Sequence, residues 1–230
     1  MTAEALAEAV SRTISRAESM TQTLNGNTRH DGIRARALED MRRFEVVMDG
    51  HFDYGNGFHG KLYLNPHKLF QWPSTIWRVA QDLIDVMPAD FVEKAEVVAG
   101  PATGGALLAH TVAGLLDGKR PMMHPPYSFA PFGDQEGKPT LSPFYAHSIN
   151  GRRVLIVDDV RNTGTTFKRC ADLVTKAGGT VIGTMQIVDR CEACVSLEAP
   201  NVALVEYKAP PNYPAASCPM CAAQIPITSF

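Results

Sequence analysis

The stretch Val154-Leu155-Ile156-Val157-Asp158-Asp159-Val160-Arg161-Asn162-Thr163-Gly164-Thr165-Thr166 decides how this chain folds. Its first four residues are apolar and mostly β-branched, as a buried strand requires. The following residues, Phe167 to Leu173, have helical spacing. A buried strand therefore delivers two adjacent carboxylates and then a small, hydroxyl-rich turn at a helix N-terminus. The amides of such a turn, its Thr hydroxyls and the helix dipole favour a phosphate. Two carboxylates beside a phosphate can hold a sugar diol directly, or Mg²⁺ through water. Sugar, phosphate and metal recognition in one loop point to a phosphorylated ribose.

The pattern repeats outward from this stretch. Upstream, Ala95 to Ala99 predicts a short strand, Gly100 to Gly105 its loop and Ala106 to Leu116 a helix. Downstream, Gly178-Gly179 ends the helix that begins after Thr166, Thr180 to Val188 is a strand, and Asn201 to Tyr207 is another. Strands alternating with helices predict an α/β class, a Rossmann-like parallel sheet flanked by helices. Both loops leave strand C-termini, the edge along which open parallel sheets bind ligands. Glycines in Gly100-Pro101-Ala102-Thr103-Gly104-Gly105 let backbone amides approach a ligand at a second helix N-terminus.

Nearer the N-terminus, helices are expected over residues 1–24, over Ile33 to Phe44, and from Pro73 to Val86. Between the last two, Asp49 to Leu64 reads as a twisted hairpin around Tyr54-Gly55-Asn56-Gly57. Pro121 to Ser148 holds six prolines and offers no regular pattern. It is expected to be irregular and functional. The chain thus divides into a helical extension (1–45), a hairpin segment (46–75), the α/β core (76–207) and a tail (208–230).

Composition narrows the classes. The chain has 230 residues, 45% hydrophobic and 20% charged, enough to bury a full core. A net charge of −2 leaves no footprint for nucleic acid or an anionic membrane. No apolar run reaches the length of a membrane span. Glu4, Glu8 and Glu18 argue against a signal or transit peptide at the start, so a cytoplasmic protein is expected.

Val154 to Thr166 resembles the PRPP-binding motif of type I phosphoribosyltransferases, with Arg161 and Asn162 as its own variants. The resemblance implies that fold, with a small hood built from N-terminal and C-terminal segments. It gives Asp158 and Asp159 the ribose hydroxyls and Mg²⁺, and Asn162, Thr163, Gly164, Thr165 and Thr166 the 5-phosphate. Ala102, Thr103, Gly104 and Gly105 become the pyrophosphate loop. The hairpin Gly50 to Asn65 resembles the hood of orotate phosphoribosyltransferases, in which Gly57, Tyr63, Asn65 and Lys68 are the counterparts. Orotate is a small anion, which Lys61 or Lys68 could meet. The implied reaction moves a 5-phosphoribosyl group from PRPP to a nucleobase and releases pyrophosphate. A homodimer is implied, and neither nucleic acid nor membrane is an expected partner.

One departure stands out. The family carries several cations on a loop between the two phosphate sites, whereas Pro121 to Asn150 holds Lys138 alone. Either Lys138 neutralises the leaving group, or the cation comes from elsewhere, or the enzyme is slow or uses another substrate. A purine phosphoribosyltransferase and a non-catalytic PRPP-binding regulator are the other readings.

Five cysteines complete the inventory. Cys170 lies on the helix after the phosphate turn and reads as a small core residue. Cys191-x-x-Cys194 and Cys218-x-x-Cys221 form two knuckles. In a reducing compartment such pairs are expected to hold a structural Zn²⁺ with all four thiolates.

Overall fold

A computed structural model describes residues 28–55, 57–119, 125–208 and 210–229. The helix expected over residues 1–24 lies outside them. The chain separates into two units, Met1–Arg36 and Ala37–Phe230. In the first, residues 28–36 are helical, as part of a helix that runs over residues 28–43 (α1). The second holds all of the sheet structure among the described residues.

Apolar runs build the main sheet. Its strands are β3 (Val97–Pro101), β4 (Ser128–Gln135), β5 (Lys138–Thr140), β6 (Arg153–Arg161), β7 (Thr180–Asp189) and β8 (Asn201–Glu206). They stand in the order β5-β4-β3-β6-β7-β8. Every neighbouring pair is parallel except β4 and β5. In β6, Val154 to Val157 are at most 1% exposed, so the strand is covered on both faces. On one face Val154 and Ile156 meet Phe167, Cys170, Ala171 and Val174 of α7 (Thr165–Lys176), an i, i+3, i+4, i+7 stripe. On the other, α5 (Gly104–Lys119) packs on β3 and β6 and buries Leu108, Ala109, Val112 and Leu116. Earlier in the chain come the short α2 (His67–Phe70), α3 (Pro73–Val86), which packs on α5, and α4 (Ala89–Lys94). The end of α7 follows the expected glycines: Gly178 takes a left-handed φ of 80°, and the Gly179 N–H donates to the Val174 carbonyl at 3.0 Å.

The order of strands matters for function. From β3 the chain steps to β4 on one side, then returns to β6 on the other side of β3. The sheet therefore reverses direction between β3 and β6, and a crevice opens beyond their C-terminal ends.

The segment Pro121 to Ser148 corrects the expectation of irregular chain. It supplies β4, β5 and α6 (Pro143–Ile149). Prolines disguise it, yet Pro131 and Pro143 sit where a missing donor is tolerated. Pro131 lies in β4 before the pairing with β5 begins at Gly133, so one edge of the strand is open there. Pro143 occupies the first turn of α6, where no intrahelical partner is lost.

A second sheet forms the hood. The hairpin of β1 (Val47–Asp53) and β2 (Phe58–Leu64) is extended on both sides by the tail, in the order β10-β1-β2-β9. Here β9 (Tyr213–Pro214) runs antiparallel to β2, and β10 (Thr228–Ser229) runs parallel to β1. Between β9 and β10 lies α8 (Pro219–Ala222). The Tyr54 hydroxyl donates to the Leu62 carbonyl across the hairpin. Gly60 permits this, because a Cβ at that position would overlap the Tyr54 ring.

Candidate active site

The paired acids lie within the last four residues of β6, which continues to Arg161. The backbone N–H of Asp159 donates to Asp158 Oδ1 at 2.9 Å, and that of Val160 donates to Asp159 Oδ1 at 2.7 Å. Each carboxylate is thus held by the main chain just beyond it. Burial pushes the Asp158 carboxyl well above the usual carboxylate range, and the neighbouring Asp159 charge adds to this. Asp159 is raised as well, chiefly by burial, and is partly relieved by His67. Two adjacent carboxylates of this kind, one buried and one half-buried, suit a hard cation or hydroxyl donors.

The glycine loop after β3 faces them directly. A Cβ on Gly104 would overlap the Asp159 carboxylate, and one on Gly105 would come within 2.7 Å of Asp158 Oδ1. Only glycine lets the start of α5 approach the acids this closely. Behind the acids, Gly164 has a φ of 74° and turns the chain into α7. Thr163 Oγ1 and Thr165 Oγ1 lie 2.9 Å apart at that helix start. The segment after β7 braces the turn: the Val195 N–H donates to the Thr163 carbonyl at 2.9 Å, and Cys194 Sγ lies 3.3 Å from the Asn162 carbonyl.

These parts line one pocket of about 820 Å³. Asp158, Asp159, Asn162, Thr163 and Thr166 come from β6 and its turn, and Ala102, Thr103 and Gly104 from the loop after β3. Gly105, Gly164 and Thr165 adjoin lining residues along the chain without lining the pocket themselves. Tyr63 and Asn65 close the pocket from the hood.

Three expected cations are not brought together with these groups. Lys61 is exposed on β2. Lys68 turns away to Glu45 Oε2 at 3.3 Å and Met48 Sδ at 3.5 Å. Lys138 is exposed at the turn of the β4–β5 hairpin, outside the pocket lining.

Other residues take their place. His67 Nε2 lies 3.7 Å from Asp159 Oδ2. Arg190 is the sole Lys or Arg among the described residues that line the pocket. It is buried, with its Nε 3.1 Å from Glu192 Oε1 and one terminal nitrogen 3.4 Å from Asn212 Oδ1. Arg190 was within reach of sequence reasoning, since it follows a strand parallel to β6 and so emerges at the same edge. His67 and Asn212 carried no such signal. Beneath them, Asp189 Oδ2 accepts from Arg161 Nε at 2.9 Å and from Gln186 Nε2 at 3.3 Å, while Asp189 Oδ1 accepts from the Cys191 N–H at 2.9 Å.

The four-cysteine metal set is corrected by the fold. Cys191 and Cys194 stay at the edge of the main sheet, tied to Asp189 and Asn162. Cys218 and Cys221 belong to the tail around α8, against the hood, where they meet His51 and His59 instead. Parallel strands were expected to bring both knuckles to one edge, but the tail leaves β8 and crosses to the second sheet. Cys170 is fully buried, and that burial pushes its thiol far up, as for an inert core residue.

The same fold occurs among known proteins. Residues 75–205 match the phosphoribosyl transferase domain family. An orotate phosphoribosyltransferase of Caldanaerobacter subterraneus is 31% identical over 194 residues, covering 84% of this chain and 95% of that protein. Among solved structures, the orotate phosphoribosyltransferase of Aeropyrum pernix superposes with a TM-score of 0.56 at 21% identity, over 74% of this chain and 93% of that one. That of Mycobacterium tuberculosis in complex with inorganic phosphate gives 0.56 at 22%, over 76% and 96%. Because that domain match spans more than half of the chain and the Caldanaerobacter relative is covered almost end to end, this chain belongs to the phosphoribosyltransferase family.

Proposed function

We propose that this enzyme transfers the 5-phosphoribosyl group of Mg²⁺–PRPP to orotate and releases pyrophosphate. The carrying observation is the direct apposition of the Asp158–Asp159 pair and the Gly104–Gly105 backbone beneath a hood. The bond from ribose C1 to the pyrophosphate oxygen breaks, a bond from C1 to the base nitrogen forms, and the proton of that nitrogen passes to the departing pyrophosphate or to water. Positive charge develops on the ribose ring between these events, so catalysis rests on charge placement and orientation. Asp158 and Asp159 hold the ribose hydroxyls and the Mg²⁺ that arrives with PRPP. The amides and hydroxyls of Asn162 to Thr166 take the 5-phosphate at the start of α7. The amides around Ala102 to Gly105 receive the departing pyrophosphate.

On the base side, Tyr63 lines the hood wall and Arg190 supplies the cation that an anionic pyrimidine requires. An acceptor that is already anionic needs no strong general base. In a homodimer, Lys138 would serve the neighbouring copy's site from its exposed hairpin. Mixing Lys138→Ala with Asp158→Asn chains tests this: one competent site per hybrid dimer should restore about a quarter of wild-type activity. No restoration removes the shared-site reading. The finer cofactor assignment is Mg²⁺ at the acids and a structural Zn²⁺ away from the pocket.

Among the described residues no helix is long and apolar enough to cross a membrane. We place the enzyme in the cytoplasm, where nucleotide precursors are made. The deciding experiment incubates protein, Mg²⁺ and PRPP with a panel of bases and measures pyrophosphate release. Release with orotate is the expected result. Release with purines alone would overturn the base assignment, and PRPP binding without release on any base would overturn catalysis.

A further inference from the structure

We propose that His51, His59, Cys218 and Cys221 bind one structural Zn²⁺ that staples the C-terminal tail to the hood. His51 lies on β1 and His59 on β2, facing each other across the hairpin with His51 Nε2 3.2 Å from His59 Nδ1. Cys218 caps the start of α8 and Cys221 lies one turn on. Cys218 Sγ is 3.5 Å from His51 Nε2, while Cys221 Sγ is 3.7 Å from His51 Nε2 and 3.3 Å from His59 Nδ1. All four ligand atoms fall within 4.8 Å of one another.

These separations fit one small tetrahedral ion. Usual Zn–N and Zn–S bond lengths put two nitrogens of a tetrahedron about 3.3 Å apart, and nitrogen and sulfur about 3.6 Å apart. The outer ring nitrogens fit as well. His51 Nδ1 lies 2.9 Å from the Ile225 carbonyl, which can only accept, so the proton belongs on Nδ1 and the Nε2 lone pair faces the cluster. His59 Nε2 turns towards the Asp53 carboxylate, with Oδ1 at 3.9 Å, and leaves Nδ1 inward. A carbonyl and a carboxylate behind two histidines are the usual outer partners of metal-bound imidazoles. With four protein ligands the site has no open position, so its role is structural.

The hood needs such a staple. It is a small sheet, and its outer strands β9 and β10 have two residues each. So few ladder hydrogen bonds hold a tail weakly. Three of the four ligand residues, His51, His59 and Cys218, are buried, which places the ion under the sheet where a larger domain would have apolar core. The ion also fixes part of the pocket wall. His59 pairs with Tyr213 of β9, next to the pocket-lining Asn212, and neighbours Phe58, another lining residue. Metal loss should therefore raise KM for the base more than it lowers kcat. The site itself stands apart from the orotate assignment, because metal content is measured without turnover.

The experiment is elemental analysis of the purified full chain from zinc-supplemented culture, followed by Co²⁺ substitution. One Zn²⁺ per chain is expected, and the Co²⁺ form should show the intense visible bands of a tetrahedral sulfur–nitrogen site. His59→Ala and Cys221→Ser should lose the metal, whereas the double variant Cys191→Ser/Cys194→Ser should keep it. Should the first two variants be insoluble, a chelator applied to the wild-type chain must lower Tm, and added Zn²⁺ must restore it. Absence of Zn²⁺ together with failure of the reduced chain to take up Zn²⁺ on titration overturns the proposal. So does loss of metal from the Cys191/Cys194 double variant.

Discussion

The two walls of the pocket are built by opposite means. The phosphate wall consists of strand ends: β3, β6 and β7 each carry their own apolar run, and each functional group lies within a few residues of the strand that positions it. The hood wall is assembled from chain segments far apart in sequence. His51 meets the Ile225 carbonyl across 174 residues, and Cys221 meets His59 across 162. In the proposed reading, rigid parallel strands hold the common substrate PRPP, and the separately assembled cover chooses the acceptor. The two walls should therefore respond differently to substitution.

The largest expected effect is on the phosphate wall. Asp158→Asn should lower turnover by at least about 10²–10³-fold, the cost of removing one preorganised charge partner. The same change should stabilise the protein. Asn keeps the Oδ1 that accepts the Asp159 N–H, while the cost of a buried charge disappears. Because burial raises the Asp158 carboxyl in the folded state, that cost is absent below the unfolded value of about 3.9, grows as pH rises, and is full above the folded value. The variant's Tm advantage should thus be greatest at neutral pH and vanish in acid. Equal Tm at pH 7, or retained turnover, would break the account of this wall.

Arg161→Met tests the support beneath the same wall. It should cost about 3–5 kcal/mol in urea unfolding, because Asp189 is 4% exposed and would lose its ionic partner. A loss below about 1 kcal/mol would mean that Gln186 and the Cys191 amide suffice to hold the carboxylate.

How far the sequence could be read follows the same division. The Val154 to Thr166 stretch carries its strand, acids, turn and helix start in thirteen consecutive residues, and the structure keeps them in register. The glycine loop was readable for the same reason. The strand β4 was hidden because Pro131 contradicts a central strand, and only the open edge beside it makes the residue acceptable. The cysteine partners were misread because spacing within a knuckle is local, whereas the choice of second knuckle depends on where the tail goes. Nothing in Cys218-Pro219-Met220-Cys221 announces that it folds back on His51 and His59.

Arg190→Ala sharpens the comparison on the acceptor side. Removing the pocket's guanidinium should raise KM for orotate by about 10- to 100-fold, the worth of a hydrogen bond to a charged group. KM for PRPP should change little, since Asp158, Asp159 and the Thr163 turn are left in place. Steady-state kinetics with each substrate varied in turn separates the two. Equal rises in both constants would show that Arg190 braces the pocket through Glu192 rather than meeting the base.

The smallest effects should come from the hood lysines. Lys61 is solvent-exposed on β2, and Lys68 pairs with the exposed Glu45, so each interacts through water-screened charge. Alanine at either position should shift stability by less than about 1 kcal/mol and leave both KM values near wild type. The contrast with Arg190 is the informative part. All three are cations near the base side in sequence terms, yet among the described residues only Arg190 reaches the pocket, because it follows β7 directly while Lys61 faces solvent and Lys68 turns to Glu45 and Met48. A tenfold rise in orotate KM from Lys68→Ala would mean that the hood closes far enough on substrate to turn this side chain inward. The acceptor wall would then be a moving part, and the phosphate wall alone would be preformed.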